Sequence, residues 1–445
     1  MPGTVAIETH GCKLNQADSA VLAQQFAQSG YRLVNSNADA DIIVVNTCTV
    51  TATADSKARQ ALRAARRANP DAIVVAAGCY PQRAADELRK MPEVSIVVGN
   101  SEKPELAGLA IAELSRQHGD SVPSYTLSTG EGQGQTGGIL RRSRAMVKIQ
   151  EGCDQVCAYC IVPKVRGRER SIPTGELIAT VRQHVASGFK EVALTGTQLG
   201  TYGFDLEGTD LSRLLSRILN ETTLPRLRVS SLQAHEISPE LLELWTDRRL
   251  CPHFHVPLQS GCDTTLKAMR RSYNTATFRR AVDLIRRNVP DAGITTDVIV
   301  GFPGEDASAH AASLAFAAEI GFADIHVFPY SQRPGTTAHY LPDQVDGAEK
   351  RRRAAEMSTV GENGFNEYRN RLAGQTRPVL WETARSITLG DSGERGNPGA
   401  TLRWSGLTDN YVRVVAETGL DLANRITEAR LLRQDGKAML ATVQT

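Results

Sequence analysis

Cys153, Cys157 and Cys160 stand in the string CDQVCAYC, a C-x3-C-x2-C spacing. Thiolates set this close together hold zinc or an iron–sulfur cluster. A structural zinc ion takes four protein ligands, and no fourth cysteine or histidine lies nearby in the sequence. Three thiolates on a four-iron cluster leave one iron open, and that corner can chelate a substrate or cofactor. Tyr159, directly before the third cysteine, is placed to shield such a cluster or to contact a cofactor base, with plain packing as the alternative.

Three further cysteines, Cys12, Cys48 and Cys79, each follow a short apolar run: residues 4–8 (TVAIE), 41–46 (DIIVVN) and 72–77 (AIVVAA). In an open parallel sheet the carboxyl ends of the strands share one edge, where ligands bind. Thiols far apart in sequence are thereby brought to one place, which makes a second candidate metal site. Other polar groups fall where strands end. Gly196 and Gln198 lie in TGTQ, Gln259 and Ser260 close HVPLQS, and Gly301, Gly304 and Glu305 lie in VGFPGE. Glycines at such ends let a ligand approach the backbone closely. His253 and His255 share one face of their strand and read as inward polar packing. Cys251 and Cys262 are assigned no chemistry.

The elements that must position these residues form three groups. The first 120 residues alternate apolar runs with helical stretches, among them DSKARQALRAARRA with Ala58, Leu62 and Ala65 on one face, which predicts an α/β, doubly wound parallel sheet. Residues 121–140 include the Gly-, Ser- and Thr-rich string 128–138 and read as a linker. From 141 to 372, candidate strands at 145–149, 191–195, 226–230, 253–257, 296–300 and 325–330 alternate with helical patterns, giving six β/α units. Such a set predicts a partial parallel barrel with its site at the C-terminal strand ends. A helix is expected from the basic run Lys350–Arg353 to about residue 371. Residues 373–445 carry short strands and turns that fit a small antiparallel barrel.

Composition excludes little beyond this. Hydrophobic residues make up 41% and charged residues 22% of the 445, and no apolar run approaches the ~20 residues a membrane span needs. The N-terminal text lacks a secretory signal pattern, so a cytoplasmic, membrane-free protein is expected, with its eight cysteines as ligands or thiols before disulfides. A net charge of +2 gives no general pull on nucleic acid. Locally, Lys164, Arg166, Arg168 and Arg170 follow the cysteine loop and are expected near an anionic substrate, and Trp381, Trp404 and Tyr411 are candidates for base stacking, with core packing the better reading for at least one of them.

C-x3-C-x2-C with an aromatic before the last cysteine resembles the radical S-adenosylmethionine superfamily. The surrounding text CDQVCAYCIVPKVRGRERS is similar to its methylthiotransferases, as are GCKLNQADS, NTCTVTATADSKAR, AGCYPQ, HVPLQSGCDTTLKAMRRSY and TTDVIVGFPGE. Near the C-terminus GQTRPVLWE and SGLTDNYVRV resemble a TRAM domain, an RNA-binding barrel. The likeness implies a radical S-adenosylmethionine barrel in the centre and two 4Fe-4S clusters, one on Cys153, Cys157 and Cys160 and one on Cys12, Cys48 and Cys79. It further implies S-adenosylmethionine as cofactor, contacted by Tyr159, Gly196, Gln198, Gln259, Ser260, Gly301, Gly304 and Glu305. Reductive cleavage of the cofactor would give a 5′-deoxyadenosyl radical, and the second cluster would carry the sulfur.

EVALTGTQLGTYGFDL looks most like the branch acting on N6-threonylcarbamoyladenosine of tRNA, with isopentenyladenosine of tRNA or a ribosomal-protein aspartate as alternatives. A tRNA and an electron donor such as flavodoxin or ferredoxin are the implied partners. A reading from another class stays open: a non-catalytic iron–sulfur or zinc protein that binds RNA.

Overall fold

The structure is a computed structural model, in which residues 3–118, 143–386 and 401–444 are described. The expected linker, 121–140, lies outside them.

The first unit is a parallel sheet of β1 (Thr4–Thr9), β2 (Arg32–Leu33), β3 (Ile42–Thr47), β4 (Ile73–Gly78) and β5 (Ile96–Val98), in the order β2-β1-β3-β4-β5. Helices α1 (Lys13–Gln28), α2 (Ala52–Ala68), α3 (Cys79–Arg89) and α4 (Leu106–His118) cover its two faces. Strands β3 and β4 are buried along their whole length, which is why they read as unbroken apolar runs. The sequence missed β2, because two residues carry no periodicity. Helix α1 buries Asn15, Asp18 and Ser19 as well as Leu14, Leu22 and Phe26. Both of its sides are covered, one by the sheet and the other by the central unit.

The central unit begins with β6 (Arg144–Lys148), a small hairpin of β7 (Gln150–Glu151) and β8 (Arg170–Ser171) around helix α5 (Val162–Arg166), and then α6 (Thr174–Ala186). It continues through β9 (Glu191–Thr195), α7 (Leu211–Glu221), β10 (Arg226–Val229), α8 (Pro239–Glu243), β11 (His253–His255), α9 (Asp263–Ala268), α10 (Thr275–Asn288), β12 (Gly293–Val300), α11 (Ala307–Ile320) and β13 (Asp324–Pro329). Two parallel three-stranded sheets, β10-β9-β6 and β11-β12-β13, join through the bridges Leu227 to Leu250 and Ser231 to His255. The six strands expected from the sequence are therefore present as one curved series, with one shared apolar core. Strand β11 stops at His255 rather than at residue 257. Beyond it the chain turns, and Gln259 adopts a positive φ of 65°.

Helix α12 (Gly347–Leu372) starts three residues before the basic run, capped by the Asp346 carboxylate, which accepts from the Ala348 and Glu349 N–H groups. It leads into a closed barrel of β14 (Thr376–Ser386), β15 (Leu402–Thr408), β16 (Arg413–Thr418), β17 (Ile426–Asp435) and β18 (Ala438–Val443). Trp381 and Trp404 sit inside it, 0% and 4% exposed. Both are core residues, so the packing alternative holds for these two and base stacking by them is corrected. Closing a small barrel consumes the largest apolar side chains available. Tyr411 instead projects from the barrel and stacks on His253 of the central unit at 4.2 Å.

Two residues of the basic run at the start of α12 are paired within the chain. Arg353 is buried against Glu305 and Glu349, and Arg352 pairs with Glu349 and Glu356.

Candidate metal centres

Each cysteine of the first trio follows a strand end on the same sheet edge. Cys12 caps α1 after β1, Cys48 follows β3 directly, and Cys79 opens α3 after β4. Two glycines allow this crowding. A Cβ on Gly11 would come within 2.4 Å of the Cys48 Cβ, and one on Gly78 within 2.6 Å of the Thr47 carbonyl oxygen. Both hold positive φ, 106° and 102°, which side chains rarely adopt. Cys48 and Cys79 are buried while Cys12 is exposed, so this trio opens toward solvent on one side.

The second trio lies in the loop between β7 and α5, half-buried throughout. Gly152, at φ 81°, leads into it, and a Cβ there would lie 1.9 Å from the Arg168 carbonyl oxygen. The Cys153 N–H donates to the Gly167 carbonyl (3.1 Å) and the Cys160 N–H to the Cys157 carbonyl (3.1 Å), which folds the loop back on itself.

The two trios are neighbours. Cys79 packs with Ile161 and Val165, and Ile161 directly follows Cys160. The Asn100 side-chain amide donates to the Cys79 Sγ (3.3 Å) and to the Val165 carbonyl (2.7 Å). Arg166 crosses in the other direction, donating to the Asn15 Oδ1 (2.5 Å) and pairing with Asp18 and Glu151. It is buried in these contacts, which corrects its expected place beside a substrate. Arg168 pairs with Asp154, and Arg170 with Glu151.

The donor sets fit iron–sulfur clusters better than zinc. Zinc–sulfur bonds of about 2.3 Å put the sulfurs of a tetrahedral site about 3.8 Å apart. Among the described residues the only three His, Cys, Asp or Glu groups with all ligand atoms within 4.8 Å of one another are His255, Asp297 and His326. Thiolates on separate irons of a larger cluster stand farther apart than zinc ligands. Burial pushes the Cys48 and Cys160 thiols up to about 12 and the Cys153 thiol up to about 11. Such thiols stay protonated at neutral pH until a bound metal supplies the opposing charge.

A polar chain backs the second trio. Arg271 donates to the Cys157 Sγ (3.1 Å), to the Tyr159 hydroxyl (3.5 Å) and to the Gln233 Oε1 (2.9 Å). Gln233 donates in turn to the Gln198 Oε1 (2.6 Å), and the Gln198 amide donates to Glu236. Burial raises the Glu236 carboxyl to about 7. A Cβ on Gly200 would overlap the Glu236 carboxylate, so that glycine leaves the space it fills. The backbone N–H groups of Thr197 and Gln198 donate to the Gln150 Oε1, which a Cβ on Gly196 would crowd at 3.1 Å. Gln198 thus belongs to a network that reaches Cys157 through two other side chains.

The remaining candidates divide by what they already bind. The Glu305 carboxylate accepts from the Gly301 and Phe302 N–H groups and pairs with Arg353, so it clamps its own turn. Gly301 and Gly304 have positive φ, 71° and 78°. Ser260 is fully buried and accepts from the Cys262 N–H (3.3 Å). Gln259 is half-buried, and its backbone pairs with β12 beside Val298. His253 and His255 both contact the Thr295 hydroxyl, at 3.1 and 3.0 Å, as inward polar packing. Sequence reasoning missed Arg271, Gln233, Glu236 and Asn100. Arg271 stood within the motif text HVPLQSGCDTTLKAMRRSY, but nothing local distinguishes it from Arg270.

Residues 4–99 match the family described as Uncharacterized protein family UPF0004, and residues 147–317 match the Radical SAM superfamily. The chain is similar to the threonylcarbamoyladenosine tRNA methylthiotransferase MtaB of Bacillus subtilis (strain 168), 35% identical over 97% of this chain and 94% of that one. It is 37% identical to the protein of the same name from Aquifex aeolicus (strain VF5), over 86% and 94% of the two chains. The tRNA-2-methylthio-N(6)-dimethylallyladenosine synthase of Carboxydothermus hydrogenoformans is 34% identical over 84% and 87%. Among solved structures, the radical S-adenosylmethionine methyltransferase TsrM from Kitasatospora setae, with cobalamin and a 4Fe-4S cluster bound, covers 76% of this chain and 77% of its own at a TM-score of 0.52. Its 15% identity shows a shared fold alone. Because it matches such relatives over nearly its whole length, the chain belongs to the radical S-adenosylmethionine methylthiotransferases.

Proposed function

We propose that this chain adds a methylthio group to C2 of N6-threonylcarbamoyladenosine in tRNA. The observation that carries the reading is the junction of Cys79 with Ile161 and Val165, which sets one cysteine trio beside the other. A reaction that both opens a C–H bond and delivers sulfur needs two such centres within reach of one substrate atom. The relatives named for this substrate, 33–37% identical, support the choice of base.

Cys153, Cys157 and Cys160 hold one 4Fe-4S cluster and Cys12, Cys48 and Cys79 the other. Given one electron, S-adenosylmethionine at the Cys153, Cys157 and Cys160 cluster would supply the hydrogen-abstracting radical chemistry, the other cluster would supply the sulfur, and a further S-adenosylmethionine would supply the methyl group. The protein's own work is positioning. Arg271 fixes Cys157 and Tyr159, and the Gln233, Gln198 and Glu236 chain fixes Arg271. Tyr159, Gly196, Gln259, Gly301 and Gly304 give the cofactor a surface at the strand ends. Ser260 and Glu305 hold the turns that shape that surface.

The partners are a tRNA and a small electron donor such as flavodoxin or ferredoxin, and the compartment is the cytoplasm. No helix among the described residues is long and apolar enough to cross a membrane.

Mass spectrometry of tRNA nucleosides from cells lacking this protein tests the reading. Loss of the methylthio form of threonylcarbamoyladenosine is expected. Its persistence, with loss of methylthio-isopentenyladenosine or of a modified ribosomal protein instead, overturns the substrate.

A further inference from the structure

Lys13 directly follows Cys12 at the start of α1 and extends between the first unit and the central strands. Its ammonium lies 5.9 Å from the centre of the Tyr411 ring, which Arg228 also approaches at 5.0 Å. The charges that act on it are Arg228 and Arg144, opposed by Asp297 and Glu191. Every other charged group there is engaged. Glu191 is fully buried and receives Arg144, Arg226 and Arg228, and Arg144 also reaches Glu382. Asp297 is held between His255 and His326, each 3.3 Å away. Lys13 itself makes no hydrogen bond or ion pair among the described residues. Four cations around Glu191 and Glu382 leave positive charge in excess, and a half-buried ammonium without a partner is costly unless an anion arrives.

We propose that Lys13 binds the carboxylate of the threonylcarbamoyl group and so selects an anionic N6 substituent over an apolar one. This rests on the function proposed above and adds the group that reads its substrate. C2 and the carbon that bears N6 flank the same ring nitrogen of adenine. A base whose C2 meets sulfur carried by the cluster on Cys12, Cys48 and Cys79 must therefore present its N6 substituent within about a purine's width of that cluster, whose nearest flanking cation in the chain is Lys13. Lys13 meets this requirement by directly following Cys12. Of the two substituents named among the relatives, threonylcarbamoyl carries a carboxylate, whereas dimethylallyl is hydrocarbon. Against a hydrocarbon the ammonium would lose water and gain nothing, so one side chain both favours the first and disfavours the second.

Binding to the protein with both clusters loaded, without reductant, tests this. Three anticodon stem-loop RNAs are compared by fluorescence anisotropy: one with threonylcarbamoyladenosine, one with its side-chain carboxylate converted to a carboxamide, and one with isopentenyladenosine. The wild type is expected to bind the carboxylate RNA about 10- to 100-fold more tightly than the carboxamide, the scale of one charge-assisted contact. K13Q is expected to bind the two equally, with full iron content, while K13R keeps most of the preference. Should K13Q not load its clusters, K13M, which preserves the length of the stem, is read by the same criteria. A wild type indifferent to the carboxylate, or a variant that still senses it, overturns the inference. In a parallel turnover assay with S-adenosylmethionine and dithionite, a wild type that methylthiolates only the isopentenyl RNA defeats the functional proposal instead, so the two failures are told apart.

Discussion

The guanidinium of Arg271 lies 3.1 Å from the sulfur of Cys157, although 114 residues separate them. The same group reaches Tyr159 and Gln233, so it ties the cysteine loop to the polar network behind it. Replacing Arg271 by Met removes all of these donors, including the one to the Gln233 Oε1. Cofactor cleavage, measured as 5′-deoxyadenosine formed after dithionite, should fall about 10- to 100-fold, because charge-assisted hydrogen bonds of about 1.5–3 kcal/mol are lost. Iron bound by the first trio should be retained. Undiminished cleavage would show that Arg271 only packs.

The two cysteine trios should separate by readout. Cys157→Ala is expected to abolish 5′-deoxyadenosine formation. Cys48→Ala should leave cofactor cleavage measurable yet stop methylthio transfer to tRNA. Full product from the Cys48 variant would remove the first unit from the reaction.

Gly152 should tolerate no side chain. A Cβ would sit 1.9 Å from the Arg168 carbonyl oxygen, and that contact is backbone, which cannot swing aside. Gly152→Ala is expected to displace the cysteine loop and halve the iron content per chain, with the cluster on Cys12, Cys48 and Cys79 intact. Wild-type iron would show that the loop closes by another route.

Asp18 joins the first unit to the central one. Lys103, Lys148 and Arg166 all converge on its buried carboxylate. Burial works to raise the Asp18 carboxyl, and the three cations overcome it, holding the group well below the usual carboxylate range. A depressed folded value stabilises the protein above the unfolded value of about 3.9 and loses that contribution as pH falls below it. Asp18→Asn, which leaves three cations short of a charge, should cost about 3–5 kcal/mol at pH 7. The gap between variant and wild type in urea unfolding should be smaller at pH 3. An equal gap at both values would assign the effect to lost hydrogen bonds alone.

Sequence alone determined what local spacing controls. Cys153, Cys157 and Cys160 are so close in the chain that almost any loop brings them together, and strands such as β3, β4 and β9 announce themselves as apolar runs because they are buried along their whole length. The first trio was legible one step further out, since strand ends in a parallel sheet must share an edge. Side-chain environments were not legible, because each depends on a partner distant in the chain. Arg166 belongs to a basic run by sequence, yet Asp18, 148 residues earlier, draws it into the interior. Glu305 looks available beside its glycines until α12 brings Arg353 to it. Trp381 and Trp404 carry the same letters whether they face solvent or a closed barrel, and only closure decided that they face inward. Residue type fixes what chemistry a group can do, whereas charge pairing and burial act through space, and long-range packing alone sets which groups remain free to do it.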